Sequence, residues 1–127
     1  MKLKRDEFIE TFSKVSAESS AKFSEIGVEK NMADAGSHGA MLSILSGMIV
    51  CHSLAEELYG DDDEIDIDRE TFDKAYERVV DGPDFAEITS GGMIGLVAGL
   101  IATLTVSKVK DALFGKEEKN ASEESDH

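Results

Sequence analysis

Several residue types that build disulfide-linked or sheet-rich proteins are scarce in this sequence. Its 127 residues include one cysteine, Cys51, one proline and no tryptophan, and aromatic residues make up 6%. A single cysteine cannot form an internal disulfide, and it cannot by itself supply the four ligands of a structural zinc site. The few aromatic residues and the single proline also argue against a sandwich of many short, turn-linked strands.

Hydrophobic residues (41%) and charged residues (31%) are both frequent enough for a folded chain, and the length fits one domain. The first residues, with Lys2, Lys4 and Arg5, lack the apolar stretch of a signal peptide, so we expect a cytoplasmic protein. The last apolar pattern ends near residue 115. We therefore predict a helical domain over residues 1–115 and a disordered polar tail over residues 116–127.

Negative charge is concentrated in one part of the chain. The formal net charge is −14, from 27 acidic and 13 basic residues. Residues 56–90 hold fourteen acidic and three basic side chains, a net of −11, whereas residues 37–55 contain no Lys, Arg, Asp or Glu. A negative field of this kind repels nucleic acid and attracts cationic surfaces. We therefore expect no direct binding of DNA or RNA, and a protein partner with a basic surface.

Apolar residues at helical spacing predict an all-α fold. Four helices are expected, over residues 6–29, 37–59, 68–80 and 89–114. Ser37 is placed to cap the second helix, Asp66 or Asp68 the third, and Thr89 or Ser90 the fourth. The second and fourth helices are uncharged over most of their length. We expect them at the centre of a small four-helix domain, covered by the amphipathic first and third helices.

The uncharged segments 37–55 and 89–107 also allow a membrane interpretation, because each is close to the length of a membrane span. Lysines follow the second segment and acidic residues lie between the two. The positive-inside rule then gives a two-span hairpin with both termini cytoplasmic, a layout of the kind that phage holins have. The soluble domain is preferred, because the first segment holds four serines and two histidines and the amphipathic helices need an apolar surface to cover.

Small residues recur four positions apart in both uncharged segments, a spacing that lets helix backbones approach closely. The predicted packing or interface residues are Gly39, Ser43, Gly47, Gly91, Gly95 and Gly99. Glycine costs about 1 kcal/mol relative to alanine inside a helix, so we expect another backbone to lie against these faces. That backbone would belong either to the same chain or to a second copy in a homodimer.

An acidic segment follows the second helix and is the predicted partner surface. Its members are Asp61, Asp62, Asp63, Glu64, Asp66 and Asp68. An EF-hand loop needs a glycine at position six, a hydrophobic residue at position eight and a glutamate at position twelve. If Ile65 is position eight, then position twelve is Arg69; if Ile67 is, then it is Thr71. Both registers fail, so we expect no metal site here.

The sequence offers no set of residues for catalysis. Cys51 and His52 are adjacent on a helix and point about 100° apart, so they cannot share one site. The glycines after Ser90 lack the preceding strand and the following lysine of a phosphate-binding loop. We therefore expect neither an enzyme nor a cofactor.

Size, acidity and the absence of a catalytic set together favour a helical protein that acts by protein–protein interaction. Regulatory proteins, inhibitors, immunity factors and phage accessory proteins are often of this type, which is a comparison of type and names no family. The membrane hairpin is the alternative from a different class. A lesser alternative is an acidic mimic of nucleic acid that inhibits a basic protein.

Overall fold

The fold is all-α, as predicted, with a small two-stranded ribbon added at one end. The computed structural model describes the backbone of residues 1–125 and the side chains of residues 1–115. In chain order the elements are β1 (Lys2–Lys4), α1 (Arg5–Glu29), α2 (Ala33–Tyr59), β2 (Glu64–Asp66), α3 (Arg69–Val80), α4 (Pro83–Thr89) and α5 (Gly92–Ser125). Four of these helices correspond to the four predicted ones. The short helix α4 was not predicted.

Helices α1 and α2 form an antiparallel hairpin. The tilted rings of Phe8 and Tyr59 meet at one end, with centroids 5.9 Å apart, and Gly27 meets Gly36 at the other. Helix α5 is antiparallel to α1, because residues 11–18 of α1 share a cleft with residues 111–115, and residues 19–26 share one with residues 101–108. Helices α2 and α5 therefore run in the same direction.

The aromatic end of the molecule holds the large side chains of the core. Phe8, Phe12 and Phe72 are almost fully buried, and the Phe8 ring lies 5.9 Å from Phe12 and 6.5 Å from Phe72. Phe72 meets Phe114 edge-on at 5.9 Å. These contacts bring α1, α3 and α5 into one cluster, so apolar burial at this end stabilises the packing of the three helices against one another.

The opposite half is packed through small and hydroxyl side chains. The buried polar residues between α1, α2 and α5 are Ser16, Ser19, Ser43, Ser46 and Thr105. Sequence analysis predicts α2 to be buried on most sides. Instead its small side faces α1 and α5, and most of the large apolar side chains from Met41 to Ile49 are exposed, whereas Leu54 and Tyr59 near its end are buried. The buried side of α1 has serines in its middle, Ser16 and Ser19, and small residues of α2 fit against it more readily than bulky ones.

The ribbon connects the N-terminus to the segment after α2. Strands β1 and β2 are antiparallel, with Leu3 opposite Ile65 and Lys4 opposite Glu64. The Tyr59 hydroxyl donates to the Leu3 carbonyl over 3.0 Å. Three-residue strands are too short to show a pattern in the sequence, and their pairing joins residues 60 or more positions apart.

Several predicted helix ends need correction. Helix α2 begins at Ala33 and not at Ser37, with Met32 at the N-cap position and no side-chain cap. Thr89 is the last residue of α4, and α5 begins at Gly92, whose φ of +68° suits glycine. Helix α5 extends to Ser125 where sequence analysis predicts an end near Phe114, because Gly115 keeps a negative φ and is followed by good helix formers.

Sequence analysis predicts a disordered polar tail over residues 116–127, and the side chains of these residues lie outside the described part of the chain. At residues 126–127 the backbone lies outside it as well. The backbone of residues 116–125 continues α5 where disorder is predicted, and the disorder of residues 126–127 stays a prediction.

Asp68 caps α3, one of the two predicted choices, and its side chain accepts a hydrogen bond of 2.7 Å from the Thr71 amide. This hydrogen bond lowers the pKa of Asp68 below its ordinary value. A lowered folded-state pKa adds stability above the unfolded value of about 3.9, and that stability is lost as the pH falls through the lower folded value.

We therefore expect Asp68→Ala to lower the melting temperature at pH 7, with the difference from the parent shrinking toward pH 2. Asp68→Asn should keep most of the parent stability at pH 7, because asparagine caps about as well. Thermal melts followed by circular dichroism check both variants. An equal loss for Ala and Asn would contradict the capping role.

Candidate functional site

The exposed side of α2 carries five large apolar residues on one helical face. This α2 apolar face consists of Met41, Ile44, Leu45, Met48 and Ile49. Their spacing of three or four residues places them together along about two turns. Each is between 43% and 64% exposed, and no charged side chain occurs from residue 37 to residue 55. A continuous apolar face without charge is unusual on a protein surface.

Beside this face lies a groove between α1 and α2, on the side of the hairpin away from α5. The α1–α2 groove has a volume of about 480 Å³. It is lined by Arg5, Ile9, Phe12, Ser13, Ser16 and Ala17 from α1, and by Ile44, Gly47, Met48, Cys51, His52 and Ala55 from α2. Almost all of this lining is apolar or small, and Arg5 is its one permanently charged member.

The sequence creates this groove through small residues on both helices. Gly47 lies directly against the Ser16 side chain, so the two helices approach closely there. Ser13 and Ala17 are too short to cover the cleft from the α1 side, while Phe12 forms its floor. Ile44 and Met48 form the opposite wall. Methionine is unbranched and adapts to differently shaped partners.

Arg5 fixes the acidic segment at one end of the groove. Its guanidinium donates to Glu56 over 2.9 Å and to the Gly60 carbonyl over 3.0 Å, and its backbone amide donates to the Asp63 carbonyl over 2.8 Å. The loop that carries Asp61, Asp62 and Asp63 therefore lies beside the C-terminal end of α2. Glu56 already pairs with Arg5, which removes most of the positive charge from the groove.

The six predicted acidic residues are all exposed, and two of them also hold parts of the fold together. Asp61, Asp62 and Asp63 are exposed in the loop, and Glu64 is exposed in β2. Asp66 instead accepts a hydrogen bond of 2.8 Å from the N-terminal amine of Met1, and Asp68 caps α3. The first four are thus available to a partner, whereas the last two hold the ribbon and the third helix in place.

The predicted small residues make close contacts within the chain. A Cβ added to Gly39 would lie 2.9 Å from Phe23, and one added to Gly95 would lie 2.9 Å from the Ile88 carbonyl oxygen. Gly99 lies against Thr89, and Ser43 is fully buried. The nearest atom to Gly91 is 3.7 Å away, an ordinary contact. Sequence reasoning missed the tightest crossing, between Gly27 and Gly36, because these glycines lie on different helices and share no local spacing.

Cys51 and His52 show no sign of reactive or metal chemistry. Burial raises the pKa of the Cys51 thiol to about 11, so it stays protonated near neutral pH. Over the described residues, no group of three or more His, Cys, Asp or Glu side chains is arranged to hold a metal ion. Both residues belong to the wall of the α1–α2 groove.

A second exposed apolar face lies on α5. It consists of Met93, Leu96, Val97, Leu100 and Leu104. In the described part of the chain, α2 and residues 92–115 of α5 are both long and apolar enough to cross a membrane. Buried core helices pass the same test, but only 39% and 44% of the two apolar stretches are buried here.

Comparisons of the chain with protein-family models, with curated proteins and with solved structures find no match. A function for this protein is therefore inferred from its own surfaces.

Proposed function

We propose that this protein acts by binding a protein partner through the α1–α2 groove and the adjoining α2 apolar face, and that it catalyses no reaction. The observation that carries the proposal is the exposure of five large apolar side chains within a segment that has no charge. Leaving such side chains in water forgoes stabilisation of roughly 25 cal/mol per Å² of apolar surface. A partner that covers them recovers it.

The shape of the site also favours a protein partner. An open cleft of about 480 Å³ with a phenylalanine floor and a methionine wall can accept protruding side chains. Anchoring residues that fill such pockets contribute most of the binding energy in protein interfaces. The α2 apolar face then supplies the surrounding contact area.

A membrane role is the second candidate, and a specific observation favours it. In residues 36–49 of α2 and residues 93–100 of α5 most small residues face inward and most large apolar residues outward, which is how helices pack in bilayers. The two-span hairpin fits this fold poorly, however. Consecutive spans must run in opposite directions, whereas α2 and α5 are parallel here, and the exposed outer side of α1 carries charges such as Lys14 and Glu18.

Site-specific photo-crosslinking in cells tests the proposal. A photoreactive amino acid replaces Met48 on the α2 apolar face or, as the control, Glu25 on the charged outer side of α1. We expect a discrete protein adduct from position 48 and none from position 25. The adduct is identified by mass spectrometry, and a second copy of this chain counts as a protein partner. Lipid adducts from position 48 would replace the proposal with the membrane role, and the absence of any adduct from position 48 would contradict both.

A further inference from the structure

We infer that the α1–α2 groove takes an amphipathic helix from the partner, with basic side chains concentrated at the end that lies over the acidic loop. This inference rests on the proposed function and specifies the partner's chemistry. It follows from three features of the structure: the dimensions of the groove, the way the α1–α2 hairpin already packs against a helix, and the placement of charge around the site.

The dimensions of the groove suit a helix. Its α2 wall extends from Ile44 to Ala55, which corresponds to about 16 Å or three helical turns at 1.5 Å per residue. A helix of that length presents three or four apolar side chains at spacings of three and four residues. The floor at Phe12 and the short side chains of Ser13 and Ala17 leave room for such anchors.

The hairpin of α1 and α2 has two grooves, and this chain already fills one of them with a helix. Helix α5 packs into that groove through Ile101, Ala102, Thr105 and Val109, all of which are buried. The α1–α2 groove is the corresponding surface on the other side, and no helix of the described residues covers it. Small residues on α1 and α2 let the two helices approach closely, and this leaves a shallow channel on each side of the hairpin.

Charge is distributed unevenly along the α1–α2 groove. At the end of the groove formed by Ile44 and Gly47 the α2 wall has no charged residue, since residues 37–55 contain none. At the other end Asp6 and Glu10 are exposed on α1 next to the lining residue Ile9, while Glu56 is paired with the lining residue Arg5. The exposed acids of the loop, Asp61 to Asp63, are held close by through Arg5.

A ligand with an apolar centre and positive charge at one end matches this arrangement. An evenly basic surface would leave charges over the apolar centre, where desolvation is costly. An uncharged helix would make no favourable electrostatic interaction with the acidic residues at one end of the groove. Complementary charge at one end also fixes the direction in which the helix lies and speeds association.

The inference is tested with the full chain and two designed helical peptides of about 18 residues. Both peptides carry the same leucine stripe; one has four lysines near one end, and the other has glutamines in their place. Binding is measured by fluorescence anisotropy at low and at moderate salt. We expect the lysine peptide to bind more tightly than the glutamine peptide, and its advantage to shrink as salt screens the exposed charges.

Two variants of the protein locate the binding. Met48→Glu should weaken both peptides at least tenfold, because it places a charge in the apolar wall. The double variant Asp6→Asn, Glu10→Gln should weaken the lysine peptide roughly fivefold, the value expected for two exposed ion pairs, and leave the glutamine peptide unchanged. Circular dichroism confirms that each variant stays folded.

Equal binding of the two peptides, or an equal effect of the double variant on both, would refute the charged orientation. Failure of both peptides to bind, or binding that Met48→Glu does not weaken, would refute the helix as occupant. Either result leaves the crosslinking test from position 48 intact, so failure of this inference is distinguishable from failure of the proposed function.

Discussion

Replacing Phe8 by alanine is expected to lower the free energy of unfolding by about 3–5 kcal/mol, the usual cost of removing a fully buried aromatic side chain. The Phe8 ring is 0% exposed and lies within 6.5 Å of the rings of Phe12, Tyr59 and Phe72. Its loss leaves a cavity where α1, α2 and α3 meet. Urea denaturation followed by circular dichroism measures the change, and a loss of more than 3 kcal/mol would consume much of the stability of a small domain.

Met48→Ala is the matched control for this experiment. Met48 is a large apolar residue of comparable size, but it is 64% exposed on the α2 apolar face. Substitutions at exposed positions usually change stability by no more than about 0.5 kcal/mol. If Met48→Ala cost as much as Phe8→Ala, the α2 apolar face would have to be buried in solution, and the surface that we assign to a partner would not exist on the free protein.

Gly27→Leu is expected to destabilise the fold by about 1–3 kcal/mol or more, the range for overpacking a tight contact. A Cβ at Gly27 would lie 2.7 Å from the Gly36 Cα and 3.0 Å from the Met32 carbonyl oxygen. Both neighbours are backbone atoms, which cannot move aside as a flexible side chain would. The turn between α1 and α2 would have to open, and thermal melts would show a large fall in melting temperature.

Gly115→Ala provides the opposite expectation within the same fold. Gly115 lies inside α5, and no described atom beyond its own neighbourhood comes within 4 Å of a Cβ at this position. Alanine is the better helix former by about 1 kcal/mol, so this variant should be as stable as the parent or more so. A stable Gly27→Leu variant would mean that the hairpin does not close as tightly as described.

The half of the molecule that is packed through small and hydroxyl side chains, where the groove has its Ser16 and Ile44 end, is held together less strongly than the aromatic half. The hydroxyls of Ser16, Ser43 and Thr105 are buried there, and none of them has a hydrogen-bond partner among the described residues. Each unpaired buried hydroxyl costs about 1–3 kcal/mol. In this half the large side chains of the α2 apolar face are also exposed and do not contribute to the core. Both features lower its stability in the free protein, which a partner on the α1–α2 groove would offset.

Local sequence determined where most of the helices lie. The apolar spacing of α1 and α3, the cap at Asp68 and the stop at Gly60 gave helix positions that the structure confirms, because each depends on residues within a few positions of one another. The concentration of acidic residues between positions 56 and 90 is likewise a property of the sequence alone. It led to the prediction of a partner with a basic surface, which remains a proposal.

Only the tertiary structure decided which side of α2 faces the core. Between residues 37 and 55 neither side of this helix carries charge, so its sequence gives no preference between the small side and the methionine and isoleucine side. The choice depends on α1, whose serines and Gly27 accept only a small partner surface. The same holds for the ribbon, which joins distant parts of the chain, and for the contact between Gly27 and Gly36, which depends on how the turn brings α1 and α2 together. The candidate site could not be read from the sequence for this reason: it consists of the side chains that the packing of α1 against α2 left outside.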